Sequence, residues 1–490
     1  MAAPDRPNIL WYCTDQQRFD TISALGNDTI RTPAVDQLVA EGVAFTRAYC
    51  QSPICTPSRA SFMTGRYPAS HHVNRNGNPH FPVEEVLVST LLAEGGYDCG
   101  LVGKQHLSRA DIVEKRVPDD GYRMYQWSHH PYPDWEEGHA YADWLKGQGV
   151  DPEKLYAGRA NPGAGVPAGL HQTTWASEVA IDFIREDRKG PWMLNLNVFD
   201  PHPPFDPPQE YLDRYDPATM PPPLFRASDL AHQERMQALD QQVKVAIDPS
   251  APALPGSEGV ADGDTRFRAP TGFDAGKIKA CYYAMIELID DQFKRLVDAL
   301  KESGQYDNTI IIFTSDHGEM LGDHGLAYKG CRFFEGLVHV PLVISWPAQI
   351  KPQSPRDALV ELVDLAPTLL DAANVPIPDR IQGRSLLPLL QGRTGTHKAR
   401  VLCEYNDALA GPGMEDHSHG IMVFDGRYKI CLYQGHPECG EIYDLQEDPG
   451  EFSNLWNQPD LAPLQARLVA DALDTYMGTC DAGLPRTGRF

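Results

Sequence analysis

The residues Asn8-Ile9-Leu10-Trp11-Tyr12-Cys13-Thr14 run apolar without alternation and end on Asp15-Gln16. A half-exposed strand alternates, so an unbroken run of this kind reads as a strand covered on both faces. Helices must supply that cover. Thr32-Pro33 followed by Val35, Leu38 and Val39 gives one, with Pro at its start and Gly42 near its end. The alternation then recurs along the chain. Ser89 to Glu94 reads as a short helix and Tyr97 to Val102 as a strand. Trp175 to Arg185 has helical spacing before the strand Trp192 to Phe199, and Lys277 to Leu300 before the strand Thr309 to Thr314. Pro341 to Ser345 and the helical Leu362 to Ala373 follow. This pattern predicts an α/β fold, a largely parallel sheet sandwiched by helices. Polar residues at the C-terminal ends of its strands then lie where open sheets bind ligands.

The alternation stops near Gly392. Beyond it, Gly420 to Tyr433 with an Asp425-Gly426 turn reads as a β-hairpin, Ile442 to Leu445 as a strand and Leu461 to Met477 as an amphipathic helix. The expected organisation is a catalytic α/β domain over 1–392 and a small α+β subdomain with an antiparallel sheet over 393–490. A Pro-rich stretch, Asp200 to Pro223, and the irregular Ile247 to Gly272 are expected to be lids or oligomer contacts.

Among 490 residues, 43 Lys and Arg face 67 Asp and Glu, a formal charge of -24. Such a surface repels nucleic acid and anionic membranes. No window approaches the roughly 18 apolar residues of a membrane span, and Met1 to Arg6 lacks a signal-peptide pattern, so the expected compartment is the cytoplasm. The ten cysteines show no Cys-x-x-Cys pairing, and nine of them read as reduced thiols. Cys55 stands apart. Cys55-Thr56-Pro57-Ser58-Arg59 opens a predicted helix, Ala60 to Thr64, placing the thiol near a helix N-terminus beside a guanidinium. Both features lower a thiol pKa and favour anions, although a lone cysteine is more often a small buried hydrophobe.

Cys-x-Pro-Ser-Arg followed by Ala60-Ser61-Phe62-Met63-Thr64-Gly65-Arg66 resembles the signature of the type I sulfatases of the alkaline phosphatase superfamily. Further segments match in the same order. They are Asn8 to Gln16, Gly103-Lys104-Gln105-His106-Leu107, Pro201 to Phe205, Thr314 to Glu319, Tyr328-Lys329, Phe333 to Gly336, and Ile442 to Leu445 with Asp448-Pro449 and Asn454-Leu455. The resemblance implies that a formylglycine-generating enzyme converts Cys55 to formylglycine, and that the substrate is a small anionic ester. Asp15 and Gln16 at one strand end, and Asp316 and His317 after another, are donors that adjacent parallel strands could aim at one point. With residue 55 they would hold one divalent metal ion, although a single Asp at a strand end is more often a cap or turn former. Most sulfatases carry an all-oxygen set suited to Ca²⁺. Gln16 and His317 instead resemble phosphonate monoester hydrolases and choline sulfatases, and an imidazole shifts preference toward Mn²⁺; both ions stay open.

In the mechanism so implied, a hydroxyl of hydrated formylglycine attacks sulfur or phosphorus. Lys104, Asn76 and Lys329 stabilise the charge, His202 with Lys329 protonates the leaving oxygen, and His106 is the base for release of sulfate. Asp316 assists the nucleophile, and Arg59 holds the aldehyde side chain. Lys104 and His106 match the sulfatase pair and favour an arylsulfatase-type hydrolase of sulfate monoesters, with activity overlapping into phosphonate and phosphate esters. Gln16, His317 and Asn76 favour a phosphonate monoester or phosphodiester hydrolase. A silent binding protein with unmodified Cys55 is the third reading, and the complete set of metal and proton-transfer residues argues against it.

Of the neighbouring residues, His71, His72, Asn74 and Arg75 read as surface loop, and Asp323 and His324 as structural. Trp127, Tyr132, Trp135 and Phe333 either line an aryl or choline pocket or pack in the core, core being the commoner fate. By analogy with cytoplasmic relatives, the acidic surface and the tail Cys480 to Phe490 imply a homo-oligomer, a dimer or tetramer, with exchanged tails.

Overall fold

A computed structural model describes residues 6–109, 114, 116–131, 138–159, 161–241, 246–250, 274–406 and 418–480. Its strands are β1 (Asn8–Thr14), β2 (Val43–Ala44), β3 (Ala48–Tyr49), β4 (Asp98–Gly103), β5 (Tyr122–Trp127), β6 (Trp192–Asn197) and β7 (Thr309–Ser315). They continue with β8 (Leu342–Ser345), β9 (Val360–Glu361), β10 (Val401–Asn406), β11 (His419–Phe424), β12 (Tyr428–Tyr433) and β13 (Glu441–Asp444). The main sheet has the order β2-β8-β7-β1-β6-β4-β5. Its β5, β4, β6, β1 and β7 are parallel, while at one edge β8 runs antiparallel to β7 and β2 antiparallel to β8. The fold class is therefore the expected one. The strands β5 and β10 escaped the sequence reading, because Tyr122–Trp127 carries Arg123 and Gln126 among its aromatics and Val401–Asn406 is interrupted by Glu404.

The unbroken apolar character of β1 has the anticipated cause. Leu10 and Tyr12 point into a layer formed by the helices Pro33–Glu41, Gln172–Arg185 and Ala275–Glu302, where Tyr12 meets Phe293 with ring centroids 5.4 Å apart. Ile9, Trp11 and Cys13 point into the opposite layer, where Trp11 packs on Phe62 at 5.1 Å. Every residue from Ile9 to Cys13 is fully buried. A side-chain period of two thus places successive residues in two cores.

The second sheet, β10-β11-β12-β13, is antiparallel and includes the anticipated hairpin, with Phe424 opposite Lys429 across the Asp425-Gly426 turn. Cys403, Tyr405, Met422 and Tyr433 from this sheet share the Trp11-side core, and the terminal helix Ala462–Thr479 covers its other face through Leu468 and Ala472. Among the described residues no helix is long and apolar enough to cross a membrane. Most of Ile247 to Gly272, the residues Tyr132 and Trp135, and the tail beyond Cys480 lie outside the described residues.

Candidate active site

Strand pairing brings the site together. Because β1 lies between β6 and β7 in parallel register, with Cys13 opposite Asn197 and Thr14 opposite Ser315, Asp15 and Asp316 leave adjacent strand ends. The Asp316 amide donates to the Thr14 carbonyl at 3.3 Å. Lys104 leaves β4 on the other side of β6, where its amide donates to the Asn197 carbonyl at 3.0 Å. Gly103 permits that approach: its φ is +96°, and a Cβ there would stand 1.9 Å from the Asn197 oxygen.

The helix carrying the thiol spans Cys55–Thr64, so it starts five residues before the predicted Ala60 and Cys55 is its first residue. All ten of its residues are buried. No side chain of Ile54 caps it; the carbonyl oxygen of the Asn76 side chain accepts from the Thr56 amide at 3.0 Å instead, and Ser58 Oγ donates to the Asp316 carbonyl at 2.6 Å. Asn76 therefore closes the orphaned N-terminus on which Cys55 sits.

Cys55 Sγ lies 3.0 Å from Lys329 Nζ, 3.1 Å from His317 Nε2, 3.6 Å from Lys104 Nζ and 3.7 Å from Asp15 Oδ1. Arg59 pairs with Asp316 at 2.8 Å and with Asp15 at 3.4 Å, and donates to the Lys104 carbonyl at 2.8 Å. Lys104 also pairs with Asp15. Burial and Asp15 push the Cys55 thiol up, but Lys104, Lys329 and His317 outweigh both and bring it down to about 5. Cys13, on the strand beside it, is pushed up by burial. Asp15 is held well below the carboxylate range against its burial, chiefly by Lys104 and His202. Burial, Lys104 and Arg59 keep His106 well below the ordinary imidazole range; burial and Lys329 do the same for His202.

The donor set suits a divalent cation. Ligand atoms of Asp15, Cys55, Asp316 and His317, all buried, lie within 4.8 Å of one another. His317 Nδ1 bonds to the Gly318 carbonyl at 2.8 Å, which leaves the Nε2 lone pair facing the cluster. Gln16 Oε1 accepts from Lys329 Nζ at 2.7 Å, and that ammonium is also 3.4 Å from His317 Nε2, so these donors already enclose one positive charge.

Several residues at the site carried no separable sequence signal. Glu319, buried behind Gln16, accepts from the Gln16 amide and from the backbone of Leu321 and Tyr328, fixing which way the Gln16 amide faces; its only sequence cue was its place in Thr314 to Glu319. Glu114 accepts from the backbone amides of His106, Leu107 and Ser108 at 2.7, 2.6 and 3.1 Å and from the Trp127 indole at 3.1 Å. It clamps the turn in which His106 adopts φ +52°. Gln16 (φ +68°) and Tyr328 (φ +64°) share that left-handed region, so backbone strain gathers around the site. His129 stands edge-on to His106 at 4.7 Å.

Other expectations resolve plainly. His71 is fully buried rather than on a surface loop: its Nδ1 accepts from the Val73 amide at 3.0 Å and its Nε2 meets Ser61 Oγ at 2.9 Å. Asp323 pairs with Arg18 at 2.8 Å and His324 stacks on Phe334 at 3.9 Å, both structural. Trp127 and Phe333 are buried in the core.

The sulfatase family profile matches residues 7–375, and a profile described as "N-sulphoglucosamine sulphohydrolase, C-terminal" matches residues 322–476. The chain belongs to the sulfatase family, hydrolases of sulfuric esters within the alkaline phosphatase superfamily. It is 31% identical to an arylsulfatase of Clostridium perfringens over 93% of this chain and 91% of that protein. It is 28% identical to a choline-sulfatase of Rhizobium meliloti over 95% and 85%. Among solved structures, the phosphonate monoester hydrolase of Agrobacterium radiobacter aligns with a TM-score of 0.78 and 26% identity over 97% of this chain and 96% of that one.

Proposed function

We propose that the protein hydrolyses sulfate monoesters of the arylsulfatase type with a nucleophile formed from Cys55, and that phosphonate and phosphate esters are secondary substrates. The observation that carries this reading is the convergence of Lys104 Nζ, Lys329 Nζ and His317 Nε2 on Cys55 Sγ within a buried pocket. A formylglycine at position 55 and a divalent ion, Ca²⁺ or Mn²⁺, held by Asp15, Gln16, Asp316 and His317 would together supply an activated oxygen nucleophile at neutral pH.

The chain's own residues do the rest. Lys104 and Lys329 place two ammonium groups where the non-bridging oxygens of an anionic ester gather charge, stabilisation commonly worth several kcal/mol. Arg59, fixed between Asp316 and Asp15, aligns both carboxylates. His202 bonds to the Pro203 carbonyl through Nδ1 at 2.6 Å, which leaves Nε2 for the leaving oxygen. Burial, and the Lys329 ammonium beside it, hold its ring well below the ordinary imidazole range. An anionic ester offsets that charge, so substrate binding raises the His202 pKa and arms the acid. His106 is the base: its Nδ1 is buried without a hydrogen-bond partner, and its ring is held neutral.

Maturation requires a formylglycine-generating enzyme, since unconverted Cys55 lacks the two hydroxyls. The ten unpaired thiols support a reducing, cytoplasmic compartment. Exposed Leu473 and Met477, one turn apart on the terminal helix, support a homo-oligomer.

A phosphonate monoester hydrolase is the second reading, favoured by Gln16, His317 and Asn76 and by the likeness to the Agrobacterium enzyme. The test is kcat/KM of the metal-loaded protein on an aryl sulfate and the matching aryl phosphonate monoester, with Cys55→Ala as blank. A sulfate preference above roughly tenfold, about 1.4 kcal/mol of differential transition-state binding, supports the first reading. A phosphonate preference of that size establishes the second.

A further inference from the structure

Outside the Cys55 pocket, ligand-type side chains converge at one other place among the described residues, the turn between β12 and β13. We propose that His436, Glu438 and Cys439 form a second, independent metal site that takes a zinc-class dication. His436 Nδ1 lies 3.3 Å from Glu438 Oε1, Cys439 Sγ lies 3.9 Å from the same oxygen, and all three ligand atoms fall within 4.8 Å of one another. Zinc bonds of about 2.0–2.3 Å at tetrahedral angles put neighbouring ligand atoms roughly 3.3–3.7 Å apart. Two of the three ligand edges are thus close to the spacing an ion would impose.

The turn is held from three sides. Pro437–Cys439 forms a single 3₁₀ turn, closed by the Cys439 amide donating to the His436 carbonyl at 3.0 Å. The Trp456 indole donates to the Pro437 carbonyl at 3.0 Å and packs so closely on Gly440 that a Cβ there would meet its ring at 2.2 Å. Cys439 is only 3% exposed, and its thiol donates to the Arg235 carbonyl at 3.4 Å. The His436 and Glu438 side chains are 29% and 64% exposed, so an ion can enter from solvent and keep water as a fourth ligand.

The chemistry selects the ion. A thiolate, an imidazole and one carboxylate favour zinc over Ca²⁺ or Mg²⁺, which prefer all-oxygen cages. Binding replaces the S–H bond with an S–metal bond and releases that proton to water. A thiolate, a carboxylate and a neutral imidazole then balance a 2+ ion. Loss of that proton also ends the thiol's bond to the Arg235 carbonyl at the end of the helix Ala227–Arg235, so a filled site holds the turn through the ion instead.

The test uses the full chain, stripped and reloaded with Zn²⁺ or Co²⁺, with zinc counted by mass spectrometry and thiolate ligation read from the cobalt charge-transfer band. Cys55→Ala, which keeps no thiolate at the first cluster, should still show the cobalt band. Adding Cys439→Ser to it should abolish the band and lower the zinc count by one, releasing no proton at this turn. His436→Ala, on the surface and therefore expected to fold, should weaken binding beyond the roughly 10–100-fold typical of lost outer partners. Trp456 fluorescence should respond to zinc in the parent and not in either variant. Absence of the cobalt band from Cys55→Ala overturns the site, as does unchanged affinity when Cys439→Ser or His436→Ala is added to it.

Discussion

Two buried clusters of ammonium and carboxylate groups in this molecule differ in how the charges are matched. Around Cys55, the cations Arg59, Lys104 and Lys329 face the carboxylates Asp15 and Asp316, with His317 beside them. Beneath the second sheet, the fully buried Lys429 pairs with Glu335 at 2.6 Å and Glu451 at 2.8 Å, and donates to the Phe333 carbonyl at 2.9 Å. In the second, both carboxylates bond the one ammonium, and it has no further group to act on. In the first, two ammonium groups press on a thiol. Burial of charge therefore does not define a site here; an excess of one sign directed at a nucleophile does.

The strongest way to break that comparison is Cys55→Ala, expected to reduce turnover by more than about 10⁴-fold, as removal of a nucleophile does. Multiple turnovers by the variant at the parent rate would remove Cys55 from the chemistry. Lys329→Met should cut kcat/KM by about 10²–10³-fold, the scale of a lost transition-state donor, with little change in thermal midpoint.

Lys429→Met should do the reverse. It leaves Glu335 and Glu451 buried without their cation, a loss of about 3–5 kcal/mol in denaturant unfolding, while kcat of the folded fraction holds. The two freed carboxylates would have folded pKa values above their unfolded ones, so the deficit relative to the parent should shrink as pH falls. A deficit that grows toward acid would contradict the pairing.

The last contrast sharpens rather than breaks. In unconverted, metal-free protein, alkylation of Cys55 should reach half its maximal rate near about 5, where the neighbouring cations place its pKa. Cys431, beneath the second sheet, is pushed up chiefly by burial and should stay unreactive over the same range. A Cys55 profile rising only near the ordinary 9.0 would mean the two ammonium groups do not reach the thiol.

Much of this was legible in the chain because the relevant signals are local. The run Ile9 to Cys13 announced a strand covered on both faces, and Asp15, Lys104 and Asp316 follow directly on strand ends. What escaped notice acts through backbone groups. Glu114 and Glu319 are ordinary acidic residues in sequence, and only the fold reveals that each accepts several amides behind a functional turn. His71 misled for a related reason, since its neighbours are polar while its own ring is satisfied internally by Val73 and Ser61. Asn76 resembles a substrate-side residue in sequence, and its further contact, capping the helix of Cys55 through the Thr56 amide 20 residues away, is one that no local pattern predicts.

The placement of β1 between β6 and β7 also sets a clock. The thiol of Cys55 is 1% exposed in the finished fold, but one wall of its pocket, His317, lies 262 residues further along the chain. At about 5–20 residues per second, synthesis needs roughly 13–50 s to deliver that wall. For that interval His317 and Lys329 do not yet exist, so the pocket around the cysteine stays open on that side while the chain is being made.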